Sequence, residues 1–327
     1  MDKLIANFPQ QLREAIAIGQ KAVIAKPAKE IRNVVVTGLG GSGIGGNLVS
    51  EFVEKTLKAP FLVNKDYFLP GFVNAHSLVI VSSYSGNTEE TLNALAQALE
   101  KGARIIIVSS GGKAIAIAQA QGLDHIIVPG GNPPRASLGY SLVQQLYILY
   151  YLGLINNDFE GQLLEAISLL EREDNHIRTL AQEIAAKLVG KIPVIYITTP
   201  MASVAVRFKQ QINENAKMLC WSHTIPEMNH NELVGWRNKI GPWAPIFLRN
   251  KDDYSRNQQR IEINENIVSE YSSEVIEIWS KGHSHIEKAI YLINLTDWIS
   301  YYLAELNQVD AIEVKVIDLL KNSLAKV

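Results

Sequence analysis

Short, continuously apolar runs rich in valine and isoleucine recur along this chain, each followed by a turn and then by a stretch with helical spacing. That alternation limits the possible folds more than any other feature. Residues 31–37 (IRNVVVT), 61–63, 77–82 (SLVIVS), 104–109 (RIIIVS) and 125–128 read as five strands. Strands apolar at nearly every position are covered on both faces, which is the environment of a parallel sheet flanked by helices. Helices are expected over 45–58, 88–101, 113–121 and 136–152, with Gly102 ending the second of them.

The pattern resumes after Asn156-Asn157-Asp158, which reads as a linker, and a long polar-faced helical stretch. Strands are expected at 194–198 (VIYIT), 217–221, 244–248 and 275–279. Helices are expected near 202–215, from 253, and over 285–306 and 313–325. The chain therefore reads as two doubly wound α/β domains, 1–153 and 154–327, each a mostly parallel sheet flanked by helices. Its 327 residues suffice for two domains, and a hydrophobic content of 47% lets each bury a core. With 31 basic and 33 acidic residues, the net charge of −2 gives no electrostatic reason to expect nucleic acid or an anionic membrane as partner. A single cysteine, Cys220, excludes an internal disulfide framework and fits a cytoplasmic protein. No signal peptide and no apolar run of membrane-spanning length is visible.

Two turns carry the functional signal. Gly38-Leu39-Gly40-Gly41-Ser42-Gly43-Ile44-Gly45-Gly46 lies between a strand and a helix, where glycines admit a ligand close to the backbone and free amides attract an anion. Gly38, Gly40 and Gly43 formally match a dinucleotide fingerprint. The acidic residue expected about 20 positions later is replaced by the stretch 55–58, which begins and ends in lysine, and a P-loop lysine is missing. The second turn, Ser82-Ser83-Tyr84-Ser85-Gly86-Asn87-Thr88, also opens a helix. Asn87 with Glu90 fits ordinary capping, but capping does not account for hydroxyls at 83, 85 and 88 around one glycine. Ligands of open α/β sheets lie beyond the strand carboxyl ends, where both turns are. One sugar phosphate touching both is the economical reading.

At these residues the sequence resembles the sugar-isomerase (SIS) domain, whose serine- and threonine-rich loop holds a sugar phosphate. The resemblance continues through Gln211-Ile212-Asn213-Glu214-Asn215-Ala216-Lys217 and Pro226-Glu227-Met228-Asn229-His230-Asn231-Glu232-Leu233-Val234-Gly235. Together these segments are similar to the bifunctional phosphoglucose/phosphomannose isomerases over nearly the whole chain. That resemblance implies an aldose–ketose isomerase working by ring opening and a cis-enediolate, without cofactor or metal. It implies Glu214 as the base and Gly41, Ser42, Ser83, Ser85 and Thr88 as the phosphate site. Arg135 would stabilise the enediolate, and His230, contributed across a homodimer interface, would assist ring opening. A lysine near the C-terminus belongs to the pattern, and Lys321 fits it best. Where the family often reads Asp-Pro-Thr-Pro, this chain reads Asp310-Ala311-Ile312-Glu313, a segment expected to be less rigid.

Each residue also has a plainer explanation. Glu214 is placed to pair with Lys217 on a helix surface, His230 to cap a helix, Arg135 to form a surface salt bridge, and Lys321 to be a solvated residue of an amphipathic helix. His223, Glu227, His230 and Glu232 lie close in sequence, as do His283 and His285, but neither group has a known metal spacing. A sugar-phosphate sensor without turnover would keep the hydroxyl turn and need neither Glu214 nor His230. A nucleotide-linked oxidoreductase lacks its ribose acid, and an amidotransferase-linked synthase lacks room for a glutaminase domain. The turn Thr198-Thr199-Pro200-Met201 of the second half has no glycine run, which leaves one site per chain.

Overall fold

Strands in which every residue is buried need hydrogen-bonded neighbours on both sides and helices on both faces. The computed structural model, which describes residues 1–238, 241–324 and 326, meets that requirement twice. One unit comprises Ala6–Glu171 and Gly282–Glu287; the other comprises Met1–Ile5, Arg172–Lys281 and Lys288–Val327.

In the first unit, β1 (Asn33–Thr37), β2 (Phe61–Asn64), β3 (Ser77–Ser82), β4 (Arg104–Ser109) and β5 (Asp124–Ile127) form a parallel sheet in the order β2-β1-β3-β4-β5. Helices α4 (Glu89–Glu100) and α5 (Gly112–Gln121) cover one face, packing Leu95 and Ile115 onto Val35, Val79, Val81, Ile105 and Ile107. Helix α3 (Gly40–Val53) lies on the opposite face, against Val36 and Val63. Two helices absent from the sequence reading, α1 (Asp2–Ala6) and α2 (Phe8–Gln20), begin the chain, and α2 packs against α6 (Leu138–Tyr151). Because β1 and β3 are neighbours and their following helices leave to opposite faces, the crevice of the sheet opens at their carboxyl ends.

Helix α7 (Asp158–Leu188) gives its first residues to this unit and the rest to the second. There β6 (Ile192–Thr198), β7 (Trp221–Ile225), β8 (Trp243–Arg249) and β9 (Ile276–Trp279) form a parallel sheet ordered β7-β6-β8-β9. Helix α9 (Ser255–Ser269) buries Ile261 and Val268 in a core with Tyr196, Met228 and Phe247. Helices α8 (Ala202–Ala216), α10 (His285–Leu306) and α11 (Lys315–Leu324) complete the elements. Here β6 and β8 occupy the places of β1 and β3.

Two expectations need correction. The helix expected over 45–58 begins instead at Gly40, because the glycine run is helical and serves close packing: a Cβ on Gly46 would lie 2.9 Å from the Val36 side chain. The strand expected over 217–221 lies at Trp221–Ile225. Its apolar lead-in misdirected the reading, since Leu219 is 85% exposed, and the true strand is a half-polar edge strand. No described helix is long and apolar enough to cross a membrane.

Candidate active site

The two glycine- and serine-bearing turns meet at the crevice of the first sheet. Ser42, in the first turn of α3, is buried, and its Oγ accepts a hydrogen bond from the Tyr84 amide at 3.2 Å. Ser83 Oγ donates to Thr88 Oγ1 at 3.1 Å, and the Asn87 amide donates to Ser85 Oγ at 3.3 Å. Thr88 is the N-cap of α4 but makes no side-chain cap, which leaves its hydroxyl beside the amides at the helix start. Ser85 is exposed and Ser83 buried, so the hydroxyls line the turn from its floor to its mouth. Gly86 makes this curl possible: its φ is +68°, and a Cβ there would sit 1.9 Å from the Gly111 carbonyl oxygen.

The third component comes from the 3-10 turn Pro134–Ala136. A Cβ on Gly41 would lie 2.7 Å from the Pro134 carbonyl oxygen, so only glycine lets α3 start this close to Arg135. Arg135 is 5% exposed, so it is a buried residue rather than the surface residue of the plainer reading, and its backbone lies against Gly41. Tyr84 and Ser82 also belong here. The Tyr84 hydroxyl accepts from the Asn132 amide at 3.2 Å, and Ser82 Oγ is a buried hydroxyl with no partner among the described residues. Both line a cavity of about 10 Å³ with Gly41, Ser42, Ser137 and Ser141. Tyr84 was legible only as the residue between two serines.

In the second unit, Glu214 is half-buried near the C-terminal end of α8. A buried polar network fixes that helix against α10. Asp297 accepts from Arg207 at 2.6 Å and from Gln211 at 2.9 Å, and Asn215 donates to Ser300 Oγ at 2.9 Å. Burial pushes the Asp297 carboxyl up from its ordinary range while the Arg207 guanidinium opposes that shift. Lys217 donates from Nζ to the backbone carbonyls of Glu214, at 2.5 Å, and Glu313, at 2.8 Å. The segment expected to be less rigid is thereby braced, and Asp310 Oδ1 also accepts from the Ile312 amide at 2.7 Å.

His230 is exposed at the end of the 3-10 turn Glu227–His230. Of its sequence neighbours, Glu232 and His223 meet at 2.6 Å, whereas Glu227 accepts from Asn231 at 2.9 Å. His285 packs edge-on to Phe52. Among the described residues, no group of three His, Cys, Asp or Glu side chains is placed to hold a metal ion. Lys321 is exposed on α11, a helix with no buried residue. Sequence reasoning thus placed Gly41, Ser42, Ser83, Ser85, Thr88 and Arg135 in one unit, where they cluster, and Glu214, His230 and Lys321 in the other.

Residues 29–152 match the SIS domain, and residues 177–324 match the bacterial phospho-glucose isomerase C-terminal SIS domain. The chain is 40% identical to a bifunctional phosphoglucose/phosphomannose isomerase of Caldicellulosiruptor bescii, across 100% of this chain and 99% of that one. A bifunctional phosphoglucose/phosphomannose isomerase of Aquifex aeolicus is 36% identical, with 93% of each chain covered. Among solved structures, the C-terminal domain of glucosamine-fructose-6-phosphate aminotransferase from Francisella tularensis superposes with a TM-score of 0.77. It covers 95% of this chain and 97% of its own at 14% identity, a likeness of fold alone.

Proposed function

This chain belongs to the family of bifunctional phosphoglucose/phosphomannose isomerases, and we propose that it interconverts glucose 6-phosphate and mannose 6-phosphate with fructose 6-phosphate. The observation that carries the substrate class is the junction of the two turns, where the Tyr84 amide is tied to Ser42 Oγ. It sets Ser42, Ser83, Ser85 and Thr88 around the start of two helices, with the buried Arg135 in the turn that packs on Gly41. Hydroxyls and free amides of that kind suit a phosphate dianion.

The reaction needs a base and no redox partner. Ring opening breaks the bond between the anomeric carbon and the ring oxygen; the anomeric hydroxyl gives up its proton, the ring oxygen gains one, and a carbonyl forms. His230 assists this exchange. Glu214 then takes the proton from C2 of the aldose, giving a cis-enediolate in which the C2 hydroxyl proton passes to O1, and returns a proton to C1, so the carbonyl moves from C1 to C2. Arg135 stabilises the enediolate oxygen, and Lys321 is the C-terminal lysine of the set. The exposed position of His230, on a turn whose neighbours are all tied down, supports its service to a second copy in a homodimer. Reducing surroundings suit the single cysteine, and the proposed location is the cytoplasm.

The test is turnover of each aldose separately. Purified protein should form fructose 6-phosphate from both glucose 6-phosphate and mannose 6-phosphate. Binding of both without turnover would instead identify a sensor.

A further inference from the structure

The turn carrying His230 is anchored on both sides, and its most heavily bonded anchor is Glu232. We infer that Glu232 is a positioning residue, which fixes the backbone on which His230 is presented for ring opening. The inference rests on the role proposed above for His230 and extends it to a residue that would act through the backbone of that histidine.

Glu232 is half-buried at the start of the 3-10 turn Glu232–Arg237, and its carboxylate is fully used. Oε1 accepts from the Tyr196 hydroxyl at 2.5 Å; Oε2 accepts from Trp221 Nε1 at 2.8 Å and lies 2.6 Å from His223 Nδ1. These partners stand on β6 and β7, so one carboxylate ties the turn to two strands of the sheet. Tyr196 is wholly buried and also accepts from Trp236 Nε1 at 2.9 Å. Burial and the adjacent carboxylate push the Tyr196 hydroxyl up, so it stays a donor. Between Glu232 and His230, Asn231 accepts from the Glu232 amide at 2.6 Å and donates to Glu227 at 2.9 Å. On the other side, Asn229 donates to Asn264 of α9 at 2.7 Å, and Asn264 is 2% exposed.

Positions 229 and 232 are therefore fixed to the body of the unit and position 231 is bonded within the turn, while the side chain at 230 is exposed. A carboxylate held by three donors two residues from an exposed histidine fixes the backbone that carries it, and placement matters because displacements of about 1 Å cost rate by about 10²-fold. A purely architectural role would join β6 to β7 and leave ring opening unaffected.

Ring opening is readable by itself, as enzyme-catalysed exchange between the anomers of glucose 6-phosphate followed by NMR above the buffer rate. Glu214→Gln should keep that exchange. Glu232→Gln puts an amide against donors; it should lower the exchange at least tenfold, as His230→Ala does, with KM within about twofold. Added imidazole should partly restore exchange in both variants, since the site is intact and lacks only a placed ring. Trp221→Phe removes one donor from an indole that is 58% exposed and so keeps the fold. It should lower exchange about threefold.

Wild-type exchange in Glu232→Gln overturns the proposal, as does loss accompanied by a large KM rise and no imidazole rescue. Should Glu232→Gln not fold, unchanged exchange in Trp221→Phe overturns it instead. Normal exchange in His230→Ala removes the histidine's role itself, and the positioning role falls with it.

Discussion

The protein builds the same crevice twice and equips the two in opposite ways. At the carboxyl ends of β1 and β3 there are glycines, hydroxyls and helix amides, and the bridge between the turns is an amide donating to Ser42 Oγ. At the carboxyl ends of β6 and β8 the bridge is Thr198 Oγ1 donating to Asp253 Oδ1 at 3.0 Å, with Asn250 Nδ2 3.5 Å from the same oxygen. Asp253 Oδ2 and Asn250 Oδ1, both buried, have no partner among the described residues. A carboxylate and unused acceptors disfavour an anion, whereas the hydroxyls and helix amides of the first crevice suit the phosphate proposed for it. The same topology therefore supplies a ligand site only where the turn chemistry permits. In the function proposed here, the second unit contributes instead through Glu214 at the end of α8 and the turn at His230.

Breaking the division of labour most severely, Glu214→Gln should lower kcat by about 10²–10⁴-fold with little change in KM, because a base acts only during proton transfer. Steady-state kinetics in both directions check this. The next largest effect contrasts two glycines. Gly86→Ala forces a side chain into φ +68° and against the Gly111 carbonyl, costing about 1–3 kcal/mol in strain alone and raising KM more than tenfold. Gly190, in the second unit, has a φ of +70° but open space around it, so Gly190→Ala should lower Tm by a few degrees and leave kinetics unchanged.

Ser85→Ala and Thr88→Ala sharpen the comparison further. Each should raise KM about three- to tenfold and keep kcat within about twofold, since phosphate contacts are shared by ground and transition states. In the second crevice, burial raises the Asp253 pKa above its ordinary value. A raised carboxyl pKa means the folded state favours the proton, so stability is fully present at low pH and is lost as pH rises through the shifted value. Asp253→Asn should therefore raise Tm at pH 7, and the gain should vanish below about pH 4. A lower Tm at pH 7 would show that the carboxylate contributes more through Thr198 than it loses by burial. The smallest expected effect is none: exhaustive chelation should leave turnover unchanged.

The strands of both sheets other than β7 were legible because continuous apolar runs such as 77–82 and 104–109 have few alternatives. The crevice of the first unit was legible for a related reason: glycines and hydroxyls there lie within two short segments. Three features were not. The helical start at Gly40 was hidden because the reason for its glycines is close packing, of Gly46 against the Val36 side chain on the preceding strand and of Gly41 against Pro134, far away in sequence. Strand β7 was hidden because an edge strand needs no apolar run. Glu232 was visible as part of the resemblance-bearing segment 226–235 and as a possible metal ligand, but not as an anchor, since its three donors come from residues 196, 221 and 223 and converge only once β6 and β7 pair.

The most direct measurement is NMR of fructose 6-phosphate incubated with the protein in heavy water. Isomerisation through an enediolate predicts new glucose 6-phosphate and mannose 6-phosphate signals, a measurable share of them deuterated at C2, and their loss in Glu214→Gln. No aldose signal from the wild-type protein, or undiminished signals from Glu214→Gln, would contradict it.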